Sequence, residues 1–257
     1  KCVIAAAHNT KTPTLLIQHG VGADFRRTDL RAFNMLFFSV FGENDKSLLE
    51  KTGIPSTRIF VTGNPLLDEV GGKNFSKKKN SAMQKILLLS QPFVEDGLWT
   101  KKQRNLFLIE IENFMGAQPA SELVIKLHPR DKLKTYRGFL GRKNIKVIPG
   151  DLYQHIQEAD IVIGVNSTAL SEALFLHRPV LVLDLFDEVK DDMIVKSGLV
   201  LKIGSFQEAL NRLPQFLSFF HSNLYDKKKE AYIKNYFYSL DGNSAARVAA
   251  IIKNIKQ

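Results

Sequence analysis

The chain has 257 residues, of which 44% are hydrophobic and 24% charged, and its formal net charge is +10. This composition suits one large or two modest α/β domains and excludes a collagen, a coiled coil or a disordered chain. No apolar run approaches the roughly 18 residues of a membrane-spanning helix. The one cysteine, Cys2, allows neither an intrachain disulfide nor a thiolate zinc cluster, and it fits a cytoplasmic protein. Because the chain starts at Lys1 without a signal-peptide pattern, we expect it to begin partway through a fold.

The positive charge is concentrated in three segments. Residues 71–84 carry four lysines and no acid, residues 205–257 carry 8 basic and 4 acidic residues, and residues 126–146 carry 8 basic residues against Asp131 alone. No nucleic-acid recognition motif accompanies them, so we expect no nucleic-acid partner. Attraction to an anionic membrane face, to the inner face of a membrane in particular, or to phosphorylated substrates explains the charge equally well. Solvated surface lysines account for the isolated runs.

Short apolar runs alternate with amphipathic stretches along most of the chain, which is typical of βα units and parallel sheets. The predicted strands are residues 3–7, 14–18, 36–40, 58–62, 85–90, 123–127, 145–148, 161–164, 180–184 and 199–203. The predicted helices between them are residues 43–51, 100–115, 152–159, 168–177 and 191–197. The fold class is therefore α/β.

The pattern also predicts how the chain is divided. Residues 71–84, rich in glycine, lysine and asparagine, indicate a linker. Residues 1–70 contain too few strands for a complete doubly wound domain, so we expect the second half of one. Residues 85–204 contain about six βα units and form a second domain.

Residues 205–257 are predicted to be helices that pack back toward the first domain. Asn243 or Ser244 can cap the last helix. Its expected apolar face consists of Val248, Ile251, Ile252 and Ile255.

Polar side chains follow several of the predicted strands, where open α/β sheets bind their ligands. His128 follows the strand at 123–127 and can donate to a phosphate, with Arg130 beside it to complement an anion. A histidine at a strand end is also commonly structural. Gln91 follows the strand at 85–90 and is placed to line a ligand.

The strand at 161–164 leads into Asn166, Ser167 and Thr168, which begin a helix. The free backbone N–H groups of a helix start and the neighbouring hydroxyls form a ready anion site, although the same residues are ordinary N-caps. Glu172 follows in the same helix, where its carboxylate can accept hydrogen bonds from ribose hydroxyls. The alternative for Glu172 is an exposed surface position.

A second histidine follows a strand in the first half of the chain. His19, after the run at 14–18, precedes Gly20, which allows close backbone approach. Histidine is the usual general base near neutral pH. Arg26 and Arg27 nearby can steer an acidic acceptor or form a solvated helix face.

Other chemistries are disfavoured by missing motifs. The sequence has no GxSxG, GxxxxGK[ST] or GxGxxG, which argues against a serine hydrolase, a P-loop enzyme and a typical dinucleotide reductase. The histidines are scattered without metal-ligand spacing, so no metal site is predicted.

In chain order, these motifs resemble a known superfamily. The run Val61-Thr62-Gly63-Asn64-Pro65 resembles the end of the N-terminal domain in UDP-N-acetylglucosamine 2-epimerases and many GT-B glycosyltransferases, and residues 161–184 resemble their nucleotide-binding βαβ unit. Gln18-His19-Gly20 and His128-Pro129 are similar to motifs of surface-polysaccharide transferases of the CDP-glycerol glycerophosphotransferase type and of capsule sialyltransferases. The resemblance spans about residues 13–185. It implies a GT-B fold with two Rossmann-like domains and the nucleotide held by the C-terminal one.

The resemblance implies a glycosyltransferase, with inverting stereochemistry favoured. It would transfer a glycosyl or alditol-phosphate group from a UDP- or CDP/CMP-linked donor to a hydroxyl acceptor, without metal or further cofactor. His128, Asn166, Ser167 and Thr168 would hold the phosphates, Glu172 the ribose, and Gln91 the nucleotide. His19 would deprotonate or position a polysaccharide or lipid-linked acceptor. A sugar-nucleotide 2-epimerase and a non-catalytic nucleotide-sugar-binding module are the two alternatives.

Overall fold

The computed structural model describes residues 2–19, 32–70, 77, 85–189 and 193–255, without the side chains of Cys2 and Val3. The chain divides into two compact units. The first comprises Lys1–Asn74 and Lys227–Gln257, and the second comprises Phe75–Asp226.

The first unit is built on a parallel sheet. Its elements before the linker are α1 (Cys2–Asn9), β1 (Thr14–Ile17), β2 (Leu36–Val40), α2 (Glu43–Lys51) and β3 (Ile59–Val61). The sheet order is β1-β2-β3, with both pairs parallel. Phe38 of the central strand is fully buried and packs in one cluster with Leu49 of α2 and Ile59 of β3. This core fixes the carboxyl ends of the three strands at one edge.

The prediction of a strand at residues 3–7 is wrong, because these residues form α1. Residues 5–7 are three successive alanines, and alanine has the highest helix propensity. A short apolar run does not by itself distinguish a buried strand from a helix.

The second unit contains a larger parallel sheet with helices between its strands. Its elements are β4 (Lys85–Leu89), α3 (Lys101–Ala117), β5 (Glu122–Lys126), β6 (Ile145–Ile148), α4 (Leu152–Glu158), β7 (Ile161–Gly164), α5 (Thr168–Phe175), β8 (Val180–Leu183), α6 (Met193–Lys196), β9 (Leu201–Ile203) and α7 (Phe206–Phe220). The order is β6-β5-β4-β7-β8-β9, with every pair parallel. Strands β7 and β8 are buried along their whole length, as expected for a sheet covered on both faces.

The α/β class is confirmed, and most predicted elements are present. The bounds of β2, α2, β6 and β7 are those predicted, and the other strands together with α3, α4 and α5 agree with their predicted bounds within two residues at each end. The start of the helix predicted at 191–197 lies outside the described residues, and α6 covers its remainder.

The tail is helical from Phe206, as predicted, but it does not pack as one group. It contains α7, α8 (Asn223–Phe237) and α9 (Ser244–Asn254). Helix α7 packs within the second unit, where Phe206 stacks on Phe114 of α3 with 4.6 Å between ring centroids. Helix α9 belongs to the first unit. The expectation that residues 1–70 are half of a larger domain stays a prediction.

The last helix is capped differently from the prediction. Asn243 precedes α9 but its side chain makes no cap hydrogen bond. Instead, the Asp68 carboxylate accepts hydrogen bonds from the backbone N–H of Ser244 at 3.0 Å and of Ala245 at 2.7 Å. A carboxylate at a helix N-terminus is favoured by both hydrogen bonding and the helix dipole. The predicted apolar face is narrower than expected, since Val248 is buried whereas Ile252 is exposed.

The Thr62-Gly63 step after β3 also holds α9. The Thr62 carbonyl accepts a hydrogen bond from Arg247 Nε at 2.7 Å. Gly63 has a φ of +80°, and a Cβ atom there would lie 2.6 Å from Ser244 Oγ. This part of the Val-Thr-Gly-Asn-Pro motif therefore has a structural role: it lets α9 approach the end of the strand.

Candidate functional site

The strand order of the second sheet indicates where along its carboxyl edge a ligand would bind. Counting β4 as the first strand, the order is the Rossmann order 3-2-1-4-5-6, which reverses between β4 and β7. Ligands of open α/β sheets bind outside the carboxyl ends of the strands at this reversal. Gln91 follows β4, His128 follows β5 and Asn166 follows β7. These predicted site residues thus lie along one edge of one sheet.

His128 is held by two hydrogen bonds. Its backbone N–H donates to Ser90 Oγ at 3.0 Å, and its ring Nδ1 accepts from the backbone N–H of Arg130 at 3.1 Å. Because Nδ1 accepts, the neutral imidazole carries its proton on Nε2. Partial burial, followed by the nearby Arg130 charge, lowers the pKa of His128 from its ordinary value. At neutral pH, His128 therefore offers an Nε2–H donor.

Arg130, predicted to complement an anion, is engaged by a carboxylate. Its guanidinium donates two hydrogen bonds to Asp96, at 2.6 Å and 2.8 Å. Asp96 lies in the loop after β4, so this ion pair connects the loops that follow β4 and β5. An anion that recruits Arg130 competes with Asp96 for it.

Gln91 joins the two strand ends at the reversal point. Its Nε2 donates to the backbone carbonyl of Asn166 at 2.7 Å. Its Oε1 is buried and has no hydrogen-bond partner among the described residues. Gln91 also lines a small pocket beside β4 with Ser90, Trp99, Arg104, Asp131 and Tyr136. That Gln91 lines the nucleotide stays a prediction.

The start of α5 can serve both as an N-cap and as an anion site, the two interpretations that the sequence allows. Ser167 is an N-cap, because its Oγ accepts from the backbone N–H of Ala169 at 3.3 Å. The hydroxyl keeps its own proton for donation to a ligand. Asn166 and Thr168 on either side are exposed. The cap and the anion site are therefore compatible.

Glu172 lies one turn further along α5 and is not at the surface. Its Oε2 is buried without a hydrogen-bond partner among the described residues. Burial raises the pKa of the Glu172 carboxyl, and a hydrogen bond with Tyr153 partly opposes this. A buried carboxylate with an unused acceptor is costly unless a ligand supplies the donor. Glu172 thus keeps one buried carboxylate oxygen, Oε2, that a ligand can use, in addition to the oxygen that Tyr153 engages.

Tyr153 and Arg104 were not among the predicted site residues. Tyr153 follows β6 and lies in the first turn of α4, where its backbone N–H donates to the N-cap Asp151. The strand-end rule that selected Gln91 and His128 could therefore have found it. Arg104 lies inside α3, and its Nε is buried without a partner among the described residues. The local sequence, Gln103-Arg104-Asn105 within a helix, does not indicate that the Arg104 Nε is buried.

The first unit also has a polar network at its carboxyl edge, next to His19. Gln18 donates from Nε2 to Asp45 Oδ2 at 3.1 Å and accepts at Oε1 from the Phe41 N–H at 2.8 Å. Asp45 is 1% exposed, and burial raises its pKa although the Gln18 hydrogen bond opposes this. His19 itself is exposed. The predicted acceptor-side residues Gly20, Arg26 and Arg27 lie outside the described residues.

No three His, Cys, Asp or Glu side chains in the described ranges cluster as metal ligands would. None of the described helices combines the length and apolarity needed to cross a bilayer.

The fold is GT-B-like, as the sequence motifs imply. No protein-family model matches the sequence, and no curated protein matches it. Solved structures do match over nearly the whole chain. At identities below 20% these likenesses show the fold.

Three of these structures illustrate the likeness. The UDP-GlcNAc 2-epimerase from Neisseria meningitidis, bound to UDP-GlcNAc, has a TM-score of 0.66 at 19% identity, covering 98% of this chain and 72% of that one. The UDP-GlcNAc 2-epimerase from Methanocaldococcus jannaschii, in complex with UDP-GlcNAc and UDP, has a TM-score of 0.61 at 17% identity, covering 98% and 72%. The wall teichoic acid polymerase TagF has a TM-score of 0.61 at 13% identity, covering 95% and 68%.

Proposed function

We propose that the chain transfers a glycosyl or alditol-phosphate group from a nucleotide-activated donor to a hydroxyl acceptor in surface-polymer or glycolipid synthesis. The observation that carries the proposal is the buried Glu172 Oε2, which has no hydrogen-bond partner among the described residues and lies beside the capped start of α5 at the reversal of the second sheet. Ribose hydroxyls are donors, and a diphosphate is the anion that a helix start accepts. The Glu172 acceptor and the start of α5 therefore fit the ribose and the phosphates of a nucleoside diphosphate.

Each polar group at this edge has a role in the proposal. Glu172 binds the ribose, and Gln91 lines the nucleotide. The Nε2–H of His128 and the hydroxyls of Ser167 and Thr168 donate to phosphate oxygens, with Asn166 beside them. These donors stabilise the negative charge that develops on the leaving nucleotide. We propose that they do so without a metal ion or further cofactor, so that activity persists in EDTA.

His19 is proposed as the base that deprotonates the acceptor hydroxyl, with Gly20, Arg26 and Arg27 on the acceptor side. A histidine base on the acceptor suits direct displacement and hence inversion at the transferred centre. A His19→Gln variant should bind nucleotide as the wild type does and lose transfer. Loss of nucleotide binding in this variant would contradict the assignment.

The first experiment is thermal stabilisation of the chain by UDP, CDP, CMP and GDP. We expect one nucleotide to raise the melting temperature selectively, and His128→Ala and Ser167→Ala to reduce that rise strongly. Asn144→Ala, which alters a polar side chain away from the reversal point, serves as a control. The absence of a shift with every nucleotide would contradict the donor site and favour a non-catalytic module.

A 2-epimerase is the second candidate, since two of the compared structures are epimerases. The two activities differ in their products. A transferase incubated with donor alone leaves the sugar attached, whereas an epimerase converts UDP-N-acetylglucosamine to its C2 epimer. Detection of that epimer by NMR would replace the transferase proposal.

A further inference from the structure

The segment after the His128 loop has an unusual surface. Residues 132–143 read Lys-Leu-Lys-Thr-Tyr-Arg-Gly-Phe-Leu-Gly-Arg-Lys and contain five basic residues and no acid. A 3-10 segment, Leu133–Phe139, forms most of it. Three residues separate its first lysine from His128, so it begins at the binding edge of the second sheet.

The segment is anchored by two aromatic side chains. Tyr136 and Phe139 are 3% and 4% exposed, and the Tyr136 hydroxyl donates to Asp131 at 3.1 Å. The backbone kinks at Tyr136, and both aromatic side chains are buried in the core. The remaining residues face outward, among them Leu133 and Leu140, which are 48% and 50% exposed. Two large apolar side chains are thus presented by a firmly anchored segment.

Most of the cations around these leucines have no counter-ion. Arg142 pairs with Glu112. Four others are exposed and make no ion pair with the described residues: Lys132, Lys134, Arg137 and Lys143. Elsewhere in this unit, cations at the surface are commonly paired, as Lys85 is with Glu158 and Lys146 with Glu122. The segment therefore combines uncompensated positive charge with exposed leucines.

We propose that residues 132–143, the basic segment, form a contact for the surface of an anionic lipid bilayer. Lipid phosphates complement the four cations, and the leucines enter the boundary between head groups and acyl chains. A soluble polyanion matches the charge but leaves Leu133 and Leu140 in water. The exposed leucines favour a bilayer for this reason.

The contact has a consequence that rests on the proposed function. Because the basic segment starts beside His128, a bilayer bound to it lies next to the nucleotide edge of the second unit. A lipid-linked hydroxyl acceptor is then supplied from the membrane surface.

The test is co-sedimentation of the full chain with phosphatidylcholine vesicles containing 0 or 30% phosphatidylglycerol. We expect binding to the anionic vesicles alone. Each cation contributes about fivefold to membrane association, so loss of all four weakens it by roughly 600-fold. The charge variant is K132Q/K134Q/R137Q/K143Q, and its matched control is K46Q/K51Q/K234Q/K253Q, which removes the same charge from the first unit. The control should weaken binding less than threefold.

A second variant separates a bilayer from a soluble polyanion. L133S/L140S should weaken vesicle binding severalfold while leaving retention on heparin unchanged. Equal vesicle binding by wild type and L133S/L140S would overturn the bilayer and favour a polyanion. If the charge variant and its control lose vesicle binding equally, the contact does not lie at the basic segment. Wild type that does not bind anionic vesicles would overturn the contact itself.

Nucleotide stabilisation measured on the same proteins separates this inference from the proposed function. The charge variant should keep the wild-type nucleotide shift, which also shows that it is folded. Vesicle binding without any nucleotide shift would contradict the donor site and leave the membrane contact standing. A nucleotide shift without vesicle binding would support the donor site and contradict the membrane contact.

Discussion

The carboxyl edges of the two sheets differ in how their polar groups are satisfied. In the described part of the first unit, the edge is largely closed by the chain itself, with Gln18 bound to Asp45 and to the Phe41 N–H. In the second unit, Gln91 Oε1 and Glu172 Oε2 are buried without partners among the described residues. Among the described residues, the first edge leaves one buried acceptor without a partner, Asp45 Oδ1, on a carboxylate that Gln18 already binds, whereas the second leaves two, on separate side chains. We therefore call the first edge closed and the second open. The variants below test that difference.

The largest expected effect is on the closed edge. Gly63→Ala places a Cβ atom 2.6 Å from Ser244 Oγ at a φ of +80°. The left-handed backbone costs about 1–2 kcal/mol, and overpacking costs about 1–3 kcal/mol. We expect a loss of about 3 kcal/mol in the free energy of unfolding, measured by urea denaturation.

Gly97→Ala is the matched control for this loss. Its φ is +72°, and a Cβ atom there meets nothing within 4 Å. It therefore carries the backbone cost alone, about 1–2 kcal/mol. If both variants lose the same stability, the close approach of α9 to Gly63 contributes nothing.

On the open edge, Glu172→Gln should weaken nucleotide binding. A hydrogen bond to a charged acceptor contributes about 1.5–3 kcal/mol, which is about 10- to 100-fold in affinity. The ligand-free protein should be at least as stable as the wild type, because the change removes a charge whose burial raises the carboxyl pKa. Isothermal titration calorimetry with the selective nucleotide measures the first effect. Unchanged affinity would remove Glu172 from the site.

Asp45→Asn makes the corresponding change on the closed edge. The Asp45 pKa is raised above its ordinary value of 3.8, so the wild type loses stability as pH rises from that value through the raised one. The asparagine oxygen keeps the Gln18 hydrogen bond without the buried charge. At neutral pH we expect the variant to melt about 2–4 °C higher, the shift given by ~1 kcal/mol.

The pH dependence makes the Asp45 prediction specific. The difference in melting temperature should vanish in strong acid, where both side chains are uncharged, and reach its full size above the raised pKa. Nucleotide affinity should stay at the wild-type value. An equal difference at every pH would mean that packing, rather than charge, is responsible.

The sequence predicts the scaffold better than it predicts the contacts of the edges. Alternation of buried runs and capped helices predicts β4 through β9, and the strand-end rule places Gln91, His128 and Asn166 together. The sequence also indicates Glu172, but the hydrogen bond to that carboxylate comes from Tyr153, which lies in a different βα unit. The capping of α9 by Asp68 joins residues 176 apart in sequence. Such contacts follow from packing rather than from local pattern.

The smallest expected effect concerns the tuning of His128. The Arg130 charge lowers the His128 pKa and Asp96 raises it, while the two side chains bind each other. Asp96→Asn removes the opposing carboxylate and should lower the His128 pKa further, whereas Arg130→Gln should raise it. NMR titration of the His128 imidazole measures both. If the two variants shift the His128 pKa in the same direction, they act through the structure of the loops. If they shift it in opposite directions, the charges of Arg130 and Asp96 set the pH range in which the His128 imidazole is a neutral Nε2–H donor at the open edge.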